Sequence, residues 1–209
     1  MPGRLEKVDF YIPHRVDEGY GLNEEAIRGI AKGGCELLIT VDCGITAVES
    51  AAAAAVEGID LIITDHHEPG EDLPRAFAIV HPMLEEGYGN RDSCGAMVAY
   101  KLAWSLANEF NAGHRLNPEL REFMLNATSL AAMGTVADVM DLRGENRIIT
   151  SYGLKALAVC ELRGVRALIE TAGLSGHGLS SYDIGFRHFS LLLITSFFKT
   201  SITSERPQQ

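Results

Sequence analysis

The sequence predicts an α/β fold, a mainly parallel sheet flanked by helices and followed by a helical segment, in an incomplete domain. Three observations predict it. Short apolar runs alternate with helical patterns as far as Val80, as βαβ crossovers require. The apolar runs ending at Val41 and Thr64 are followed at once by Asp42 and by Asp65-His66-His67, where strands open into loops. From Ser93 onward the strand pattern disappears and helical periodicity takes over.

Val8-Asp9-Phe10-Tyr11-Ile12 reads as a strand by its alternation. Asn23 is placed to cap a helix from Glu24 to about Lys32, which Gly33-Gly34 stops. Glu36 to Val41 is apolar enough for a buried strand. Thr46 to Glu57 reads as a helix whose run Ala51 to Ala55 lets it pack close against a sheet, and Gly58 ends it. Asp60 to Thr64 and Phe77 to Val80 complete the strands, and helices are expected from Ser93 to about Phe110, Pro118 to Met133, Glu145 to Ala158 and Arg163 to Ala172. No internal repeat or low-complexity linker interrupts the 209 residues.

Composition narrows the function classes. Hydrophobic residues at 46% and charged residues at 22% are those of a soluble globular protein. A net charge of −10 argues against broad, non-specific affinity for nucleic acid. It leaves room for a nuclease, because metal ions in an acidic site bind phosphate locally. Cys35, Cys43, Cys94 and Cys160 form no C-x-x-C pair, which argues against a zinc ribbon or disulfide framework and for a reducing cytoplasm. Met1 to Lys7 has no apolar signal core. The longest apolar stretch, Phe189 to Phe198, is shorter than the roughly 20 residues of a membrane span, so no membrane association is expected.

Parallel sheets place ligands at the carboxyl ends of their strands. Asp42 follows the second predicted strand, and Asp65-His66-His67 follow the third. Asp42 can reach a metal while Gly44 lets the chain turn sharply into the next helix; an aspartate there also serves as a helix cap. Neighbouring side chains diverge along an extended segment, so one of His66 and His67 is expected to ligate metal and the other to touch phosphate or a hydrogen-bond partner. Asp65 is suited to orient a histidine from behind. Paired histidines also occur on ordinary surfaces. Asp138, among small and apolar residues, needs a cation or several donors, although a helix cap or buried ion pair meets the same need. Ser93 is a candidate N-cap, and free N–H groups at Ser93 and Gly95 suit phosphate as well as they suit close helix packing. Cys94 has no visible catalytic partner and reads as structural. Two carboxylates and an imidazole favour manganese or magnesium over a thiolate zinc site.

Together these segments resemble the DHH phosphoesterase superfamily, and within it the RecJ-type single-strand-specific exonucleases. The resemblance is carried by Tyr11 to Arg15 with Glu18 to Leu22, Val41 to Ile45, Thr64 to His67, Cys94 to Leu102 and Gly134 to Val139, and runs from about Val8 to Phe186. It implies that Asp42 bridges two Mn2+ or Mg2+ ions, that His66 and Asp138 bind one of them, and that His67 contacts the scissile phosphate or positions a ligand. The catalytic set it implies is Asp42, His66, His67 and Asp138. The implied reaction is hydrolysis of single-stranded DNA from the 5′ end in DNA repair and recombination, with repair proteins as further partners.

Two departures qualify the resemblance. The family's aspartate-rich motif on an earlier strand has no counterpart here, since Asp9 and Asp17 do not match it, so the two-metal site is expected to be incomplete. After Phe186 the residues Arg187 to Leu193 do not continue the family pattern. Residues 1–186 are therefore expected to form a partial phosphoesterase domain and residues 187–209 a divergent tail, with exonuclease activity expected only as part of a complete protein. A small-substrate phosphoesterase (oligoribonuclease, nucleotide phosphatase or pyrophosphatase) and an inactive fragment are the alternatives.

Overall fold

The apolar pentapeptides Leu37–Val41 (β1) and Asp60–Thr64 (β2) pair in parallel, Leu37 opposite Asp60 and Val41 opposite Thr64. Ala78–Val80 (β3) pairs in parallel with the other side of β2, giving the order β1-β2-β3. This computed structural model describes residues 7–185 apart from 15, 16, 85 and 177. The tail from Arg187 lies outside the described residues.

Helix α1, Glu24–Lys32, starts where Asn23 accepts a hydrogen bond from the Ala26 N–H at 2.8 Å, a cap contributing about 1 kcal/mol. Helix α2, Val48–Val56, buries Ala51 and Ala54; methyl groups let its backbone approach β2 closely. With Ile27, Ile59, Leu61 and Ile63 these alanines form the core of the sheet half.

Helix α3, Gly95–Phe110, packs on β1, β2 and on α4, Pro118–Ala137. Cys94, Met97, Tyr100, Met124 and Ala131 fill the space between the two helices. Helix α5, Gly144–Leu157, lies along α4, followed by α6, Arg163–Thr171, and α7, Ser181–Gly185. Met133, Leu157, Val165, Leu174 and Ile184 close that end. Two glycines permit the helix contacts: a Cβ on Gly134 would lie 2.5 Å from the Ala96 methyl carbon, and one on Gly153 would overlap Ala132 and the Thr128 carbonyl. Gly134 therefore sits inside α4, and the helix runs four residues past the Met133 end expected from sequence.

Two strand expectations fail. Val8–Ile12 forms no strand, and Val8, Phe10 and Ile12 stand exposed. Its alternation is real, but a strand needs a neighbour to take its N–H and C=O groups, and among the described residues none pairs with it. Among the described residues β1 is an edge rather than a buried strand: Leu37, Ile39 and Val41 are exposed on alternate positions, while Thr40 is buried. Helix α3 also begins two residues later than expected, with Cys94 rather than Ser93 as N-cap.

Candidate metal centre

The site grows from a tight turn at the end of β1. Asp42 still donates its N–H to the Thr64 carbonyl at 3.0 Å, then leaves the ladder with φ +64°, a left-handed conformation costly to a residue with a Cβ. Surrounding bonds hold it there. Thr40 Oγ1 donates to the Cys43 carbonyl at 2.7 Å, and Gly44 turns with φ +112° above Thr40 and Ile63, where a Cβ would be crowded. The Ile45 N–H donates to Asp65 Oδ2 at 2.9 Å, joining this turn to the end of β2.

Asp65 is buried and organises the histidines around itself. Its Oδ1 accepts from the His66 N–H at 2.7 Å, the His67 N–H at 3.3 Å and His67 Nδ1 at 2.7 Å. Burial pushes its pKa up, but the bonds from Ile45, the His67 ring and the two histidine N–H groups outweigh burial and hold the carboxyl below its ordinary value. With Nδ1–H engaged, His67 keeps Nε2 for an outside partner. Because residues 65–67 wrap around a carboxylate instead of running extended, the two imidazoles do not diverge as expected. Their ring centroids lie 4.5 Å apart.

His66 Nε2 lies 3.1 Å from Asp42 Oδ1 and 3.4 Å from Asp138 Oδ2, and only 10% of its side chain is exposed. The hydrogen bond with Asp42 raises its pKa above 6.5; burial opposes this, and the charges of Asp138, Asp42 and Asp65 add to the rise. The Asp42, His66 and His67 ligand atoms all lie within 4.8 Å of one another. The structure thus gathers Asp42, His66, His67 and Asp138 and sets Asp65 behind them.

Asp138 arrives from the helical half as the C-cap of α4. The Val139 N–H bonds to Val136 O at 3.2 Å and the Met140 N–H to Thr135 O at 3.1 Å, a Schellman ending. Val139 occupies its left-handed position (φ +57°), where glycine is usual. Beneath Asp42 lies Gly95; a Cβ there would overlap the Asp42 carboxylate. Ser93, by contrast, is buried, its hydroxyl donating to Asn90 O at 2.9 Å and accepting from Asn90 Nδ2 at 3.0 Å. The Ser93 side chain is thus engaged inside the protein, and the segment meets the site through Gly95. Cys94 is buried beside Thr135 Oγ1 and its thiol is pushed up by burial, in keeping with a structural role.

Sequence reasoning missed two residues at this site. Tyr20 donates its hydroxyl to the Asp42 carbonyl at 2.5 Å and sets its ring edge-on to His67, with centroids 6.2 Å apart. His81 is buried, with Nε2 2.9 Å from the His67 carbonyl and Nδ1 3.2 Å from the Met83 N–H. A carbonyl only accepts and an N–H only donates, so His81 carries its proton on Nε2. Tyr20 lies within a segment carrying the family resemblance, but nothing local marks either residue as part of the site.

Residues 4–128 match the DHH family, N-terminal domain. The chain belongs to the DHH family. This DHH chain is 44% identical over 183 residues to the single-stranded-DNA-specific exonuclease RecJ of Bacillus subtilis (strain 168), covering 87% of this chain and 22% of that protein. It is 35% identical over 187 residues to RecJ of Escherichia coli (strain K12), covering 86% and 32%. Among solved structures, an exonuclease RecJ bound to manganese superposes with a TM-score of 0.73 at 31% identity, covering 91% of this chain and 49% of that one. RecJ from Thermus thermophilus in complex with Mn2+ superposes with a TM-score of 0.71 at 30% identity, covering 86% and 26%. The DHH chain spans about a fifth to a third of the length of the curated relatives it matches.

Proposed function

We propose that this chain supplies the strand-end half of a metal-dependent phosphodiesterase centre that removes nucleotides from the 5′ end of single-stranded DNA. The observation that carries this reading is the meeting of Asp42, His66 and Asp138, from two strand ends and a helix end, around one imidazole nitrogen. An oxygen and nitrogen donor set with two half-exposed carboxylates fits Mn2+ or Mg2+. The nearby thiol of Cys43 has its pKa raised by burial and by Asp65 and Asp42, which disfavours the thiolate that zinc would select. Asp42, His66 and Asp138 would hold the metal, with His67 facing it or the phosphate. When bound, the metal supplies Lewis-acid stabilisation of the phosphoryl oxygens.

The protein's own part is positional. Asp65 fixes the His67 ring, so that Nε2 can meet a phosphate oxygen. Tyr20, bonded to the Asp42 carbonyl and edge-on to the His67 ring, helps to hold that position. Similarity to the RecJ exonucleases supports single-stranded DNA as the substrate and a place in DNA repair and recombination. Among the described residues no helix is long and apolar enough to cross a membrane. Four free cysteines agree with a reducing cytoplasm. Residues 1–186 are proposed as a partial DHH phosphoesterase domain, supported by Ile184, fully buried against the Met133–Leu157 cluster, with 187–209 divergent in sequence.

The test is Mn2+ binding by the purified chain, and incubation of a full-length RecJ-type exonuclease carrying this chain in place of its own segment with 5′-labelled single-stranded DNA, dinucleotides and pyrophosphate. Mn2+ binding by the chain, and mononucleotide release from DNA by that full-length exonuclease, both lost in Asp42→Ala and Asp138→Ala, are the expected result. Preference for pyrophosphate, or an unchanged rate in both variants, overturns the proposal.

A further inference from the structure

We infer that Asn146, on α5, is a positioning residue for the Asp42–His66–Asp138 cluster; this rests on the metal reading above. Asn146 is fully buried, a placement that costs free energy unless its amide is bonded. Its Nδ2 donates to the Asp92 carbonyl at 2.8 Å and the Asp141 carbonyl at 3.0 Å, and its Oδ1 accepts from Asn90 Nδ2 at 2.8 Å. Two carbonyls cannot both face an amide oxygen, so the orientation is fixed by chemistry.

The two carbonyls belong to the two chain segments that deliver the site. Asp92 lies three residues before Gly95, which supports the Asp42 carboxylate, and Asp141 lies three residues after Asp138. One side chain therefore ties the entry to α3 to the exit from α4. Between Asp138 and that tie stands Val139 in its left-handed conformation, which persists only where the surroundings over-determine it. A purely structural amide needs only satisfied hydrogen bonds, from whatever backbone lies beside it. This one bridges the backbones on either side of the metal cluster.

The test compares Asn146→Ala and Asn146→Asp with Leu157→Ala, a core truncation on the same helix whose apolar side chain makes no such hydrogen bonds. Mn2+ affinity is read by electron paramagnetic resonance, thermal stability by calorimetry, and local opening by amide hydrogen exchange. Both Asn146 variants are expected to weaken Mn2+ binding by about 10- to 100-fold. Leu157→Ala is expected to stay within about twofold of the unsubstituted chain despite a larger loss of stability. Faster exchange in the Asn146 variants should be confined to residues 92–95 and 139–143. Asn90→Ala, which removes only the donor to Oδ1, keeps the comparison readable if the Asn146 variants do not fold, and is expected to weaken Mn2+ binding more than Leu157→Ala. Equal Mn2+ affinity in all variants overturns the inference. If the unsubstituted chain binds no Mn2+, the metal reading fails, and exchange decides the positioning role alone: uniform exchange along α5 rejects it.

Discussion

The sheet half and the helical half deliver their side chains to the site by different physical means. Asp42 and His66 stand at the ends of adjacent parallel strands, so the β1–β2 ladder sets their separation before any side chain packs. Asp138 stands at the end of a helix 20 residues long, and its place depends on glycine contacts, a strained cap and the Asn146 tie. A strand end is positioned by repeating backbone hydrogen bonds. A helix end is positioned by whatever holds the helix, so the helical half should be the more easily displaced.

The sharpest way to break this comparison is at Gly95, where the halves touch. Gly95→Ala should push the Asp42 carboxylate aside and lower Mn2+ affinity by about 10- to 100-fold in a titration. The overpacking should cost about 1–3 kcal/mol in urea unfolding. Unchanged affinity would mean that Asp42 has slack the structure does not show.

Within the sheet half, His81→Ala removes the donor to the His67 carbonyl and leaves a part-buried acceptor, costing about 1–3 kcal/mol by denaturant unfolding. His81→Asn, which keeps a donor, should recover part of that loss. Equal losses in the two variants would show that ring packing, not the hydrogen bond, holds the loop.

His66 joins the halves, and its pKa gives a pH signature. In the folded, metal-free protein that pKa is raised above 6.5, chiefly by Asp42. The stabilisation this represents is fully present below pH 6.5 and is lost as pH rises through the folded value. Mn2+ must displace the same proton, so its affinity should climb by about tenfold per pH unit below the folded value and level off above it. Calorimetry in buffers of different ionisation enthalpy should detect the released proton; Asp42→Asn should shrink the pH dependence more than Asp138→Asn.

The smallest expected effect is at the strained cap. Val139→Gly relieves a left-handed β-branched residue and should stabilise the chain by about 1–2 kcal/mol, seen as a higher urea midpoint with unchanged slope. If stability rises while Mn2+ affinity falls, the strain helps to aim Asp138.

Much of the fold was legible because its signals are local. Asn23, the Gly33-Gly34 stop and the apolar pentapeptides act within a few residues, and α1 and β2 fall where the pattern places them. The alternation at Val8–Ile12 was equally clear, yet no strand formed, because pairing is a property of the neighbour. The burial of β1 was misjudged for the same reason: an apolar run does not reveal whether the sheet continues beside it.

By itself the sequence determined the parallel order of strand and helix and the strand ends carrying Asp42 and Asp65–His67, since each follows from periodicity and turn chemistry along the chain. Only the tertiary structure decided that His66 lies between two carboxylates, that both imidazoles face one another around Asp65, and that Tyr20, His81, Gly95 and Asn146 serve the same place. Those relations are set by which backbones pack together, and distances between remote segments are not written in local propensity.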